Sequence, residues 1–182
     1  DLTAAKLLVA RIKAEHDIVL VSFHAGAEGL DALHIPFTNE FYYGEDRGDV
    51  AAFSHGVIDA GADLVLGHGP HVPRALELYQ DRLIAYSLGN FCTYYGVSVV
   101  GLKGLAPVLE VTITGEGEFV QGQIFSARQQ RPLGPLPDAT HEAARLMKRL
   151  TEADFPDTPL VVDERGQIRK RAMSNNDATS LN

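Results

Sequence analysis

Tryptophan is absent from this 182-residue chain, and cysteine occurs once, at Cys92. A single thiol excludes an internal disulfide framework and any cysteine-rich zinc site. No apolar run approaches the roughly 18 residues of a membrane span, and no signal peptide is visible. Basic residues are scarce. The 16 Lys and Arg against 24 Asp and Glu leave a formal charge of −8, which argues against nucleic acid as a partner. No GxGxxG or GxxxxGK[ST] loop supports dinucleotide or P-loop binding, and no GxSxG elbow appears. Ser22 and Ser87 fall inside expected strands, a poor place for an exposed nucleophile. What is present is an ordinary globular composition, 45% apolar, which excludes wholesale disorder. The length suits one domain that buries about 70% of its unfolded surface. The chain begins at Asp1 rather than methionine, so it is expected to be a piece of a longer protein.

The hydrophobic pattern predicts a helix over residues 2–15, with Thr3 as N-cap and an apolar stripe of Leu7, Leu8 and Ile12. The run Ile18–Phe23 reads as a strand buried on both faces, and Leu64–Leu66 and Leu83–Leu88 as two more. A helix fits 49–60, with Gly61 as its stop, and a short helix or turn fits Pro73–Tyr79. This alternation favours a layered α/β fold. After residue 104 the character changes. Leu105–Thr114 and Glu118–Arg128 alternate apolar and polar residues around Gly115 and Gly117, as in an antiparallel hairpin. Three prolines between Arg131 and Asp138 predict an extended connector, and 139–152 a helix. Leu160–Asp163 and Gln167–Arg169 suggest a small hairpin, followed by a polar tail at 174–182. The expected division is a main domain over 1–155 with a peripheral hairpin and tail over 156–182.

The chemistry-bearing residues share a position. Each of the three strands runs into a polar residue at or just past its C-terminal end: His24, then His68 with His71, then Asn90. In open α/β sheets ligands bind outside those ends. If the strands are parallel neighbours, three imidazoles and an amide meet on one rim, a donor set suited to divalent metals. A lone histidine at a strand end is more often a hydrogen-bonded structural residue, and His24 alone reads so. His68 and His71, set in Gly67-His68-Gly69-Pro70-His71, read as a metal or catalytic pair. Glu28 is either a carboxylate orienting an imidazole or a solvated loop charge. The irregular stretch 28–48 is long for a connection and aromatic. It is either a surface excursion anchored by its own aromatics or a functional loop, from which His34 and Tyr42 could reach a substrate. His16 and His141 read as surface residues, His55 as structural and Cys92 as a buried inert thiol.

The stretches DAGADLVLGHGPHVPRALELY and IAYSLGNF, with the earlier SFHAGAEG, resemble the bacterial capsule-synthesis family CapA of poly-γ-glutamate biosynthesis, over roughly residues 17–91. The resemblance implies a calcineurin-like metallophosphoesterase fold, α-β-β-α in layers, of which this chain is the C-terminal part. It implies a site with two divalent metals (manganese, iron or zinc) for which His24, His68 and His71 are ligands, and Glu28 and Asn90 are residues characteristic of the capsule family. Two departures stand out. The family usually reads Gly-His-His-Pro-His, where this chain has Gly69 in the middle, and the superfamily's first-half metal motifs are missing.

Three readings follow. In the first, the full-length protein is a metal-dependent hydrolase of a phosphoester or polymer amide bond. His68 or His34 would protonate the leaving group, and Tyr42, Glu28 and Asn90 would bind substrate. In the second, the rim only binds an anionic polymer, as a non-catalytic or export component of a membrane-bound synthesis complex. In the third, the chain is a folding fragment that self-associates through exposed strand edges. The resemblance also implies an extracytoplasmic, cell-surface or membrane-anchored protein.

Overall fold

The computed structural model describes residues 1–171; the polar tail expected at 174–182 lies outside them. Helix α1, Leu2–Lys13, is capped by the Asp1 carboxylate, which accepts from the Ala4 amide, so Asp1 and not Thr3 is the N-cap. Its inward face is Ala5, Val9 and Ile12, whereas Leu7 is 69% exposed and Leu8 is 48% exposed. The inward stripe keeps Ile12 but runs through Ala5 and Val9 in place of Leu7 and Leu8. Helix α2, Val50–Asp59, is capped by Asp49 and buries Val50, Val57 and Ile58.

The first sheet has the order β1–β4–β6–β5, with β1 Leu20–His24, β4 Leu64–His68, β5 Leu76–Tyr79 and β6 Arg82–Ala85. β1, β4 and β6 run parallel, as the layered reading requires. β5 returns antiparallel to β6, where the sequence suggested a short helix or turn. The two-residue turn between them, Gln80-Asp81, has φ of 48° and 61°, the positive pair of a type I′ hairpin. Ile18 and Leu20 are not buried on both faces: β1 is an edge strand, and Leu20 is 51% exposed.

The second sheet has the order β11–β12–β8–β7, with β7 Val108–Ile113, β8 Phe119–Phe125, β11 Leu160–Val162 and β12 Gln167–Lys170. The hairpin expected at the periphery therefore supplies two of the four strands, and Leu160, Val162 and Ile168 are core residues. The proline-rich connector is itself paired: β10, Gly134–Pro137, lies antiparallel to β9, Ala127–Gln130. Helix α3, Glu142–Asp154, buries Ala143, Leu146, Met147 and Leu150.

Alternation along β4 and β6 builds two cores. Val65, Ile84 and Tyr86 pack with Val9, Val57 and Ile58 of the helices. Leu64, Leu83 and Ala85 pack with Phe119, Ile124 and Ile168 of the second sheet. Each such fully buried side chain contributes about 1.5–3 kcal/mol. These layers fix the first sheet and, with it, the C-terminal ends of three parallel strands on one rim. Among the described residues no helix is long and apolar enough to cross a membrane.

Candidate functional site

The parallel register sets His24 directly beside His68 at the ends of β1 and β4. Adjacent strands in register present side chains to the same face, so the two imidazoles share one surface. Burial first, and the neighbouring His24 second, hold the His68 imidazole below its ordinary pKa and favour its neutral form.

Beyond β4 the chain turns through Gly69 at φ 124° and His71 at φ 59°. A Cβ on Gly69 would lie 2.5 Å from the Ala25 carbonyl oxygen, so no side chain fits there without movement. A Cβ on Gly67 would lie 2.2 Å from the Tyr86 carbonyl oxygen, so that position too is closed. The two glycines let the β4 end lie flat against its neighbours, and the turn brings the His71 ring to 6.2 Å from that of His24.

Asn90 fixes the orientation of His71. Its Nδ2 donates to the carbonyls of His71 and Lys103, both at 3.1 Å, so its Oδ1 must be the acceptor facing His71 Nδ1 at 2.7 Å. His71 therefore carries a proton on Nδ1 and turns Nε2 toward the rim, the orientation that a hydrogen-bonded partner imposes on a ligand histidine. Asn90 thus positions His71. His71 Nε2 faces Glu28, 3.7 Å away, and the other Glu28 oxygen accepts from Arg47 at 3.2 Å. Tyr42 stands close enough to feel both of those charges. Hydrogen bonding with Tyr43 chiefly, and Glu28 in addition, push its phenol pKa up, with Arg47 opposing.

The long loop is held from below. Arg74, fully buried, makes a two-pronged ion pair with Glu40 at 2.9 and 2.6 Å, and Glu40 also accepts from the Ala27 amide. The loop folds locally into a hairpin of β2, Glu40–Tyr42, and β3, Glu45–Gly48.

Of the residues picked out in the sequence, His24, His68, His71, Glu28, Asn90 and Tyr42 come together. His34 does not join their contacts. Its Nδ1 lies 2.6 Å from Asp154 at the end of α3, and Asp154 also accepts from the Ile35 amide, so the pair clamps the loop to the helix. Cys92 is exposed, not buried, because it follows the strand on an outward loop with φ 55°. His55 is structural, stacked on Tyr79 and bonded to Glu77. Sequence reading missed Arg47, Lys103 and the Arg74–Glu40 pair, whose partners lie 13 to 34 residues away in sequence, with no local signature.

The donor types on the rim suit a divalent metal: three imidazoles, one with its tautomer set by Asn90. Their number does not suffice. Among the described residues no three His, Cys, Asp or Glu side chains converge as a metal-holding group.

The first 95 residues of the chain match the family of the bacterial capsule synthesis protein PGA_cap. A probable polyglutamine synthesis accessory protein of Mycobacterium tuberculosis is 37% identical over 135 residues, 72% of this chain but 32% of its own length. The PGA biosynthesis protein CapA of Bacillus subtilis is 35% identical over 85 residues, 46% of this chain and 19% of its own. The capsule biosynthesis protein CapA of Bacillus anthracis is 34% identical over 79 residues, 43% of this chain and 16% of its own. The chain thus spans about a third or less of each of these relatives. By the family match and these identities together, the chain belongs to the bacterial capsule synthesis (PGA_cap) family.

Proposed function

We propose that this chain contributes part of the active site of an extracytoplasmic protein of capsule or polyglutamate biosynthesis, which hydrolyses a phosphoester or polymer amide bond. The observation that carries the reading is the Asn90–His71 pair, which spends one imidazole nitrogen to keep the other available at the rim. Two divalent metals bound there would polarise the scissile group and activate water. His24, His68 and His71 would be this chain's ligands, and the remaining ligands would come from elsewhere in the full-length protein. Within this chain, Glu28 lies between Arg47 and His71, accepting from the first and facing the second. Burial keeps His68 neutral and able to donate a lone pair.

The test is elemental analysis of the full-length protein carrying this chain, followed by hydrolysis assays on aryl phosphates and γ-linked glutamate oligomers. Stoichiometric manganese, iron or zinc, lost together with turnover in a His68→Ala/His71→Ala double variant, is the expected result. Metal content and turnover that survive the double substitution would overturn it.

A second reading rests on Gly69. Its backbone is pressed against Ala25 in a conformation closed to side chains, so the histidine usual in relatives has no room. A rim short of one donor would bind polymer without cutting it. Saturable polymer binding with no turnover in the metal-loaded protein selects that reading.

A further inference from the structure

The rim carries two cations that the metal reading leaves unused. Lys103 sits in the short 3-10 helix Gly101–Gly104, and its carbonyl is tied to the Asn90 amide that positions His71. Its side chain reaches back over the β1 turn. A Cβ placed on Gly29, the residue after Glu28, would lie 3.7 Å from the Lys103 ammonium nitrogen. The Gly29 amide itself donates to the carbonyl of Pro70, the residue before His71. Lys103 therefore lies over the junction of the Glu28 and His71 turns. It is half-buried, and among the described residues its ammonium makes no ion pair or hydrogen bond.

Arg47 is the second cation. It is 82% buried in its side chain, with 18% exposed, and gives Glu28 a single nitrogen contact at 3.2 Å. A guanidinium has five N–H donors, so most of its capacity is unspent. Glu28 is the carboxylate that touches this group, and it is already engaged by Arg47 on one oxygen and faced by His71 on the other. The second buried carboxylate of the loop, Glu40, is neutralised by Arg74. A half-buried cation that no carboxylate or carbonyl of the described residues meets is costly unless something anionic completes it.

We propose that Lys103 and Arg47 form a two-cation cradle that receives an oxyanion group of the substrate, a phosphate or a carboxylate, beside His71. The inference rests on the reading of the rim as a substrate site and requires neither metal nor turnover. Lys103 supplies a mobile point charge, and Arg47 a planar fork fixed by Glu28, which together suit an anion with two or more oxygens. The cradle also answers how a strongly acidic chain could hold an anionic polymer: the attraction is local, at the rim.

The experiment uses metal-free protein in excess chelator, so that its failure is separable from failure of the metal reading. Inorganic phosphate and a γ-linked glutamate trimer are titrated separately, and amide shifts at residues 26–29, 69, 71 and 101–104 are followed by NMR. Saturable shifts at those residues are expected, with affinity about five- to tenfold weaker in Lys103→Gln and in Arg47→Gln. Arg169→Gln, on the exposed face of β12, should leave affinity unchanged. Thermal unfolding of each variant identifies any loss that comes from misfolding. Stronger binding of phosphate would assign the cradle to a phosphoester, and stronger binding of the trimer to polymer carboxylates. No saturable shift with either anion, or an equal loss in Arg169→Gln, overturns the proposal.

Discussion

The two ends of the first sheet treat charge in opposite ways. At the end opposite the rim, Asp63 is buried and saturated. It accepts from the Val19 amide at 2.8 Å and from Lys13 at 2.7 Å, and Arg82 stands 3.5 Å away. The backbone at Gly117 closes over it, since a Cβ there would lie 2.0 Å from its oxygen. Each oxygen of that carboxylate faces a cation of the chain itself. At the rim the polar groups beneath the surface are equally closed, as Arg74 with Glu40 shows, but the front is open. Among the described residues the Lys103 ammonium and most of the Arg47 donors have no partner, and His71 Nε2 meets only Glu28, at 3.7 Å. The lesson is that burial and charge do not by themselves mark a site. Unspent valence does, when supported by a second layer that is fully spent.

The comparison breaks first at Asp63. Replacing it with alanine leaves the Val19 amide and two cations without their acceptor, and should cost about 3–5 kcal/mol of unfolding free energy. Urea unfolding monitored by circular dichroism measures this. Rim function, read as anion or metal binding in protein that remains folded, should not change. A loss of stability below about 1 kcal/mol would mean that the Asp63 cluster is not the closed structural knot described here.

At the rim, Gly69→Ala should cost about 2–3 kcal/mol. The new Cβ would meet Ala25 at 2.5 Å, in a φ of 124° that L-residues avoid. Unlike Asp63→Ala, it should also perturb the rim, because the β1 and β4 turns would have to separate. Unchanged stability would show that the turn can relax, and that a histidine could be accommodated there after all. Asn90→Ala is the milder probe. It removes the acceptor for His71 Nδ1–H and two donors to backbone carbonyls. Metal affinity of the full-length protein should fall about tenfold or more, whereas Asn90→Asp, which keeps the acceptor but turns a carboxylate oxygen toward two carbonyls, should recover only part of it.

Legibility followed the same division. The parallel strands could be read because β4 and β6 are buried on both faces and so appear as continuous apolar runs. The histidines at their ends could be read because a strand end is a local feature. Leu7 and Leu8 misled because α1 turns them to solvent and packs on Ala5 and Val9, a choice made by tertiary contacts. β5 was missed because its type I′ turn is Gln-Asp and lacks the usual glycine. His34 misled for a related reason: its partner, Asp154, is 120 residues away. Arg47 and Lys103 carried no signal at all, since a cation in a charged loop has no sequence mark until its neighbours are known.

Asp138 sharpens the comparison with the smallest effect. It is a closed cluster like that of Asp63, but near the surface. Its carboxylate accepts from the Thr140 amide at 2.9 Å, the Thr140 hydroxyl at 2.6 Å and, at 2.9 Å, the amide of Glu142, the first residue of α3. Burial acts to raise its pKa, but these hydrogen bonds and Arg128 outweigh it and hold the carboxyl below its ordinary value. A depressed folded-state pKa means that the unfolded chain binds the proton more readily. The contribution is therefore fully present above the unfolded value of about 3.9 and is lost as pH falls through the folded one. Asp138→Ala should cost about 1 kcal/mol at neutral pH. That deficit should shrink as the pH is lowered through the acid range, measured by urea midpoints at a series of pH values. A deficit that stayed constant down to acid would show that the Asp138 charge contributes nothing, and that only packing was lost.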